Sequence, residues 1–253
     1  MSDRNLLQQV FSCIDNTTLT ATDTDASVEA FCRHTLALRG EAYGPVAAVC
    51  VYPRFVAAAR KVLEGSGIRV ASVAGAFPHG QLPLELKVAE VRYAVAQGAD
   101  EVDMVLSRGL VLEGDADGVV REVQAMKEAC QGRTLKVILE TCELPSPTLV
   151  AQASQLAIDG GADFIKTSTG KGASGATLEA AETMLDVIMQ NVKKTSKKVG
   201  FKAAGGISTP EEALQYAMLA KKIVGEYYVN NQTFRIGASR LTDRLAAFLT
   251  KFF

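Results

Sequence analysis

Lys166 and Lys202 each stand alone in a short run that otherwise reads as a buried strand. The runs are Asp163-Phe164-Ile165-Lys166-Thr167 and Val199-Gly200-Phe201-Lys202-Ala203, with the two lysines 36 residues apart. An ammonium group is costly to bury unpaired, so a lysine at such a position shifts its pKa or acquires a partner. Two of them in consecutive units point to an amine kept neutral by a neighbouring cation. That makes a lysine nucleophilic enough to attack a carbonyl. An ordinary lysine, with a pKa of ~10.4, is neutral less than about one time in a thousand at pH 7. Lowering that value by ~3 units needs roughly 4 kcal/mol of differential destabilisation. A second cation and a mostly apolar wall can supply it.

Other polar residues recur in phase with these lysines. From Asp103 to Lys136, Lys166, Lys202 and Ser239 the steps are 33, 30, 36 and 37 residues, and Asp15 to Cys50 is 35. The elements that must position them are short apolar, β-branched runs alternating with longer stretches of helical period. Strands are expected over Ala47–Val51, Val70–Ala74, Glu101–Leu106, Leu135–Leu139, Asp163–Thr167, Val199–Ala203 and Thr233–Ala238. An eighth is expected to end at Ile14-Asp15, after a short N-terminal helix. Helices are expected over Leu84–Gln97, Asp117–Gln131, Thr148–Ile158, Leu178–Val192 and Pro210–Leu219. Strand–helix alternation implies a parallel sheet, because each crossover needs a helix. Eight units in 253 residues suit a single (β/α)8 TIM barrel of the α/β class, which takes about 250 residues. A doubly wound open sheet is the alternative topology, but no GxGxxG follows the first strands. In a barrel, strand-end residues gather at the C-terminal face, so Asp103, Lys136, Lys166 and Lys202 are expected around one mouth.

The bulk numbers bound the rest. Apolar content is 48%, charged content 22% and net charge −1, which gives a globular core and no basic block for nucleic acid or an anionic membrane. Met1 to Val10 lacks the apolar stretch of a signal peptide, and no run approaches the ~20 apolar residues of a membrane span. Cys13, Cys32, Cys50, Cys130 and Cys142 form no CxxC pair, so reduced thiols in a cytoplasmic protein are expected. With only His34 and His79, a multi-histidine metal site is not expected. His79 reads as a loop histidine or as a substrate contact.

The motifs together resemble the deoxyribose-phosphate aldolase family. They are Gly98-Ala99-Asp100-Glu101-Val102-Asp103, Leu135-Lys136-Val137-Ile138-Leu139-Glu140-Thr141, Ala162 to Gly170, and Val199-Gly200-Phe201-Lys202. Cys50-Val51-Tyr52-Pro53-Arg54-Phe55, Phe77-Pro78-His79-Gly80 and Gly237-Ala238-Ser239 add to them, in order along nearly the whole chain. The resemblance implies a metal-free class I aldolase, without a cofactor, cleaving 2-deoxy-D-ribose 5-phosphate to acetaldehyde and D-glyceraldehyde 3-phosphate in deoxyribonucleotide catabolism. It implies Lys166 as the Schiff-base lysine, Asp103 and Lys202 in proton transfer, and Lys136 in support. A homodimer is expected from the resemblance alone.

Substrate contacts are expected at Asp15, Cys50, Thr169, Gly170, Lys171, Gly205, Gly206, Gly237, Ser239 and Arg240. Loops after strands seven and eight, beside a helix N-terminus, form the usual phosphate site of a barrel. Blander readings stand beside these. Asp15 is equally good turn chemistry in Asp15-Asn16-Thr17-Thr18, Cys50 suits a small buried hydrophobe, and the glycines suit ordinary turns. Four departures from the family pattern bear on rate and phosphate contacts. Ala203 stands where proline is usual, which would loosen that strand end. Arg240 replaces a serine, Ser208 sits where a basic residue is frequent, and the chain ends at Lys251-Phe252-Phe253 without a longer tyrosine-ended tail. Another Schiff-base aldolase or transaldolase, an inactive phosphate-binding barrel, and a pyridoxal-phosphate enzyme are the competing readings.

Overall fold

The computed structural model describes residues 3–40 and 43–251. Helix α1 (Asp3–Phe11) leads into β1 (Ile14–Thr17), followed by α2 (Asp25–Ala37), β2 (Ala48–Val51) and α3 (Val56–Leu63). Next come β3 (Arg69–Ala74), α4 (Leu84–Ala96) and β4 (Glu101–Val105). Two helices, α5 (Arg108–Glu113) and α6 (Ala116–Ala129), precede β5 (Thr134–Ile138) and α7 (Pro147–Asp159). The chain continues through β6 (Phe164–Lys166), α8 (Leu178–Thr195), β7 (Gly200–Ala204), α9 (Pro210–Ile223), β8 (Phe234–Ala238) and α10 (Leu241–Thr250). The strands pair in chain order, all parallel, and β8 closes on β1. This is the expected (β/α)8 barrel rather than an open doubly wound sheet. Among the described residues no helix is long and apolar enough to cross a membrane.

Helix starts are written locally. Ser146, Thr177 and Thr209 each accept a backbone N–H from the first turn of α7, α8 and α9, with Pro147 and Pro210 at the first helical position. Outward strand residues such as Val102, Val137, Ile165 and Phe201 are buried in the main core. The lumen is divided differently. Ala48, Cys50, Ala71 and Val73 from β2 and β3, with Leu19, make a small separate apolar cluster. The remaining strands send charged side chains inward.

Two expectations are corrected here. Strand β1 begins at Ile14 rather than ending at Ile14-Asp15. The polar residues that read as a turn are taken up by tertiary contacts. Asn16 donates to Thr35 Oγ1 at 2.8 Å and accepts from Thr242 Oγ1 at 2.9 Å, and Asp15 is fully buried among cations. Strand β7 is not loosened at Ala203, which is buried and pairs with Ile236, while the strand runs on to Ala204. Phe252 and Phe253 lie outside the described residues, so the departure at the chain end does too.

Candidate active site

Strand register sets the depth of each charge. Asp103 pairs with Lys136 and Lys136 with Phe164, so Lys166, opposite Ile138, sits two residues further toward the C-terminal end of its strand. Lys166 pairs with Lys202, and Lys202 with Arg235. The nearly constant spacing in the sequence therefore does not place all four groups at one level. Lys166 lines the open cavity, whereas Lys202, Asp103 and Lys136 lie off its wall and are fully buried.

These groups form one connected network. Asp103 Oδ2 accepts from Lys166 Nζ at 2.8 Å and from Lys202 Nζ at 2.7 Å. Its other oxygen accepts from Lys136 Nζ at 2.9 Å. Lys136 also reaches Asp15 at 3.0 Å and Glu101 at 2.6 Å. Lys202 adds a 2.5 Å contact to Asp15. Arg235 closes the circuit, with Nη1 2.5 Å from Asp15 Oδ1 and Nη2 2.7 Å from Glu101 Oε1. Sequence reasoning missed Glu101 and Arg235. Their signal was the period-two phase of a strand: Glu101 shares a face with Asp103, and Arg235 with Gly237.

The shared surroundings drive the lysines apart. Burial lowers the Lys166 ammonium pKa, Asp103 opposes that, and Lys202 adds to the lowering. Burial acts on Lys202 and Lys136 in the same sense, but their carboxylate partners outweigh it and both are raised. Burial by itself would raise Asp103, yet the three lysines hold its carboxyl well below the usual range. Burial pushes the Cys50 thiol up to about 11, which keeps it neutral beside the lysines. The arrangement thus holds one amine toward its neutral form next to an ionised carboxylate and a second, charged amine. That set suits nucleophilic attack on a carbonyl followed by proton transfer. Burial itself is the largest lowering influence, ahead of the neighbouring cation emphasised by the sequence.

Above Lys166 opens a cavity of about 390 Å³, within the range of small-molecule sites. Its wall includes Thr169, Gly170, Lys171, Gly205, Gly206, Gly237, Ser239 and Arg240, as the motifs led one to expect. Thr17, Thr18 and Thr20 add hydroxyls that sequence reasoning did not single out. Asp15 and Cys50 are fully buried and lie off the wall. Among the described residues no protein acceptor takes the backbone N–H of Gly205, Gly206 or Ser239. Gly205 has a φ of +88°, and a Cβ there would lie 2.8 Å from Gly175 Cα, so no other residue fits between the two loops. Gly237 makes room for the network, since a Cβ there would lie 2.9 Å from Lys202 Cε.

A basic side chain does reach Ser208, although it lies off the cavity wall. Arg244, one turn into α10, donates from Nη1 to Ser208 O at 3.1 Å and to Oγ at 3.3 Å. Arg240 is exposed at the N-cap of the same helix. Among the described residues no three His, Cys, Asp or Glu side chains converge as metal ligands.

Comparison with known proteins agrees with this geometry. The family model described as DeoC/LacD family aldolase matches residues 10–240. The chain belongs to that aldolase family. Similar solved structures include a deoxyribose phosphate aldolase from Aeropyrum pernix, described as tetrameric, at 26% identity over 100% of both chains and a TM-score of 0.74. A provisionally named deoxyribose-phosphate aldolase from Coccidioides immitis is 29% identical, covering 96% of this chain and 86% of its own, with a TM-score of 0.81. Another provisionally named one, from Toxoplasma gondii, is 25% identical over 99% of both chains with a TM-score of 0.87. This aldolase is therefore a carbon–carbon lyase built on the barrel just described.

Proposed function

We propose that this aldolase reversibly cleaves 2-deoxy-D-ribose 5-phosphate to acetaldehyde and D-glyceraldehyde 3-phosphate through a Schiff base on Lys166, as a step of deoxyribonucleotide catabolism. The observation that carries the reading is that Lys166 alone of the network lysines faces the cavity, with its ammonium pKa lowered. In the cleavage direction, Lys166 Nζ adds to C1 of the open-chain aldehyde and the carbinolamine loses water to give the iminium. Removal of the 3-hydroxyl proton breaks the C2–C3 bond, releasing C3 as the aldehyde of glyceraldehyde 3-phosphate. The bonding pair enters the iminium as an enamine. Protonation at C2 and hydrolysis then release acetaldehyde and free Lys166. Asp103, which bonds both Lys166 and Lys202, suits the proton-transfer role, and Lys202, raised and charged, suits the donor. Lys136 supports Asp103 from below, Asp15 holds Lys136 and Lys202, and Cys50 offers a neutral thiol near the reacting end.

The phosphate would lie on the free N–H groups of Gly205, Gly206 and Ser239, beside the N-terminus of α10. Thr169, Gly170, Lys171 and Gly237 complete that end of the wall. Arg240 supplies the charge contact, since a guanidinium can grip phosphate with two parallel hydrogen bonds. In Arg240→Ser, KM should rise for deoxyribose 5-phosphate, by the ~1.5–3 kcal/mol of a charged hydrogen bond, and stay put for unphosphorylated deoxyribose. Equal kinetics on both sugars would return Arg240 to the solvated surface.

Cleavage of deoxyribose 5-phosphate in the presence of EDTA tests the whole reading. Acetaldehyde release at the rate seen without chelator is expected, because a lysine iminium is itself the electron sink. No acetaldehyde, or a loss that zinc restores, would overturn the assignment. The reading takes residues 1–253 as one functional unit acting as a homodimer in the cytoplasm, and sedimentation of the purified chain checks the dimer.

A further inference from the structure

Four cations and three carboxylates share the barrel interior: Lys136, Lys166, Lys202 and Arg235 against Asp15, Glu101 and Asp103. Six of these seven side chains are sealed from water and only Lys166 borders the cavity, so an unbalanced charge is expensive and the set favours shedding one proton. Arg235 cannot be the source, because a guanidinium does not deprotonate in proteins. It is fully buried and is held by Asp15 and Glu101. The proton must come from a lysine. Lys136 has three carboxylate partners and Lys202 has two, whereas Lys166 has one, which it shares with Lys202. Lys166 is the least compensated cation of the group.

We propose that Arg235 is a positioning residue for catalysis: it lies off the cavity wall, and as the fourth, permanent cation it makes Lys166 the amine that goes without a proton. This rests on the reading of Lys166 as nucleophile given above. The charged and titratable groups around Lys166 come from most of the barrel. They are Asp15 from β1, Cys50 from β2, Glu101 and Asp103 from β4, Lys136 from β5, Lys202 from β7 and Arg235 from β8. Arg69 of β3 also reaches Glu101, at 3.0 Å, but its side chain is 37% exposed and its charge is screened by solvent. The lowering of Lys166 and the raising of Lys136 and Lys202 follow the same ranking of partners.

Counting charges predicts a reversal that packing alone does not. Arg235→Gln leaves three cations for three carboxylates, so Lys166 keeps its proton. Arg235→Gln with Glu101→Gln leaves three cations for two carboxylates, and Lys166 again gives up its proton. The readout is the pH dependence of reductive ethylation of Lys166 by acetaldehyde and cyanoborohydride, mapped by peptide mass spectrometry. It reports the free amine whether or not the chain cleaves any sugar.

The midpoint in Arg235→Gln should move alkaline by roughly one to two pH units, the effect of one charge several ångström away at an effective dielectric of about 20. In the double variant it should return toward the parent. If Lys166 in the parent is ethylated no faster at pH 7 than surface lysines, the nucleophile assignment fails and takes this inference with it. An Arg235→Gln midpoint equal to a fast-reacting parent, or a double variant displaced further than the single one, overturns this inference alone. Should Arg235→Gln not fold, Glu101→Gln by itself decides. Losing an anion must move the midpoint acid, and an unmoved or alkaline midpoint sinks the proposal.

Discussion

Lys166→Ala should lose nearly all turnover of deoxyribose 5-phosphate while remaining folded. The structural grounds for an intact fold are as specific as those for lost chemistry. Removing Lys166 leaves Lys136, Lys202 and Arg235 facing Asp15, Glu101 and Asp103, a balanced set in which Asp103 keeps two of its lysine partners. No buried charge is orphaned, which is the usual reason that breaking an internal ion pair unfolds a protein. The chemical loss follows because Lys202 and Lys136 lie off the cavity wall and are raised rather than lowered in pKa, so neither can replace the nucleophile at neutral pH. Borohydride added with acetaldehyde should fix a two-carbon adduct on Lys166 in the parent chain and none elsewhere in the barrel. Peptide mapping that finds the adduct on Lys202 or Lys136, or an alanine variant retaining more than a few per cent of turnover, would falsify the role given to Lys166. Circular dichroism and thermal melting check that any loss is chemical.

Lys202→Leu should move the acid limb of the pH–rate profile to higher pH. The sign follows from two changes of the same direction. Lys202 lowers the Lys166 pKa, and it shares Asp103 Oδ2 with Lys166, so its removal ends a repulsion and leaves that oxygen to Lys166. Both raise the Lys166 pKa, the reactive amine is the neutral one, and its fraction grows as pH rises through that value. Each unit of upward shift therefore costs about tenfold in free amine below the limb. A shift of roughly one to two units, for one charge at an effective dielectric of about 20, should leave activity at neutral pH down by about ten- to a hundredfold, with partial recovery under alkaline conditions. Loss of the proton donor adds a pH-independent decrement of the order of 10²–10⁴, typical of a general acid–base group. A profile with an unmoved limb and a near-parental rate would make Lys202 a bystander.

The network is costly to bury, and hydrophobic residues of similar volume would stabilise the barrel as well or better. The chemistry proposed for Lys166 gives a reason for the network's presence. The same reasoning explains why the lumen at β2 and β3 is filled by Ala48, Cys50, Ala71 and Val73. Small apolar groups beside the lysines keep water away without adding acceptors, so burial lowers the Lys166 pKa and no further carboxylate cancels that effect.

The sequence by itself determined the repeat and singled out the lysines and the aspartate proposed to react. Strand–helix alternation, a lysine inside each of two apolar runs, and glycines after strand seven and within strand eight are local properties, and they led to the barrel, to Lys166 and to the loops of the proposed phosphate end. Boundaries followed where capping is local, as at Thr177 and Thr209. They failed at β1, where Asp15 and Asn16 are strand residues only because partners from α2, α10 and the barrel interior satisfy them. What only the tertiary structure decided is depth and partnership. Spacing along the chain cannot show the stagger between neighbouring strands, so it could not separate the cavity-facing Lys166 from the buried Lys136. Nor could it show that Arg235 meets Asp15 and Glu101 in the lumen, because those partners lie 220 and 134 residues away along the chain. The reactivity proposed for Lys166 rests on that count of partners, and the count exists only once the barrel is closed.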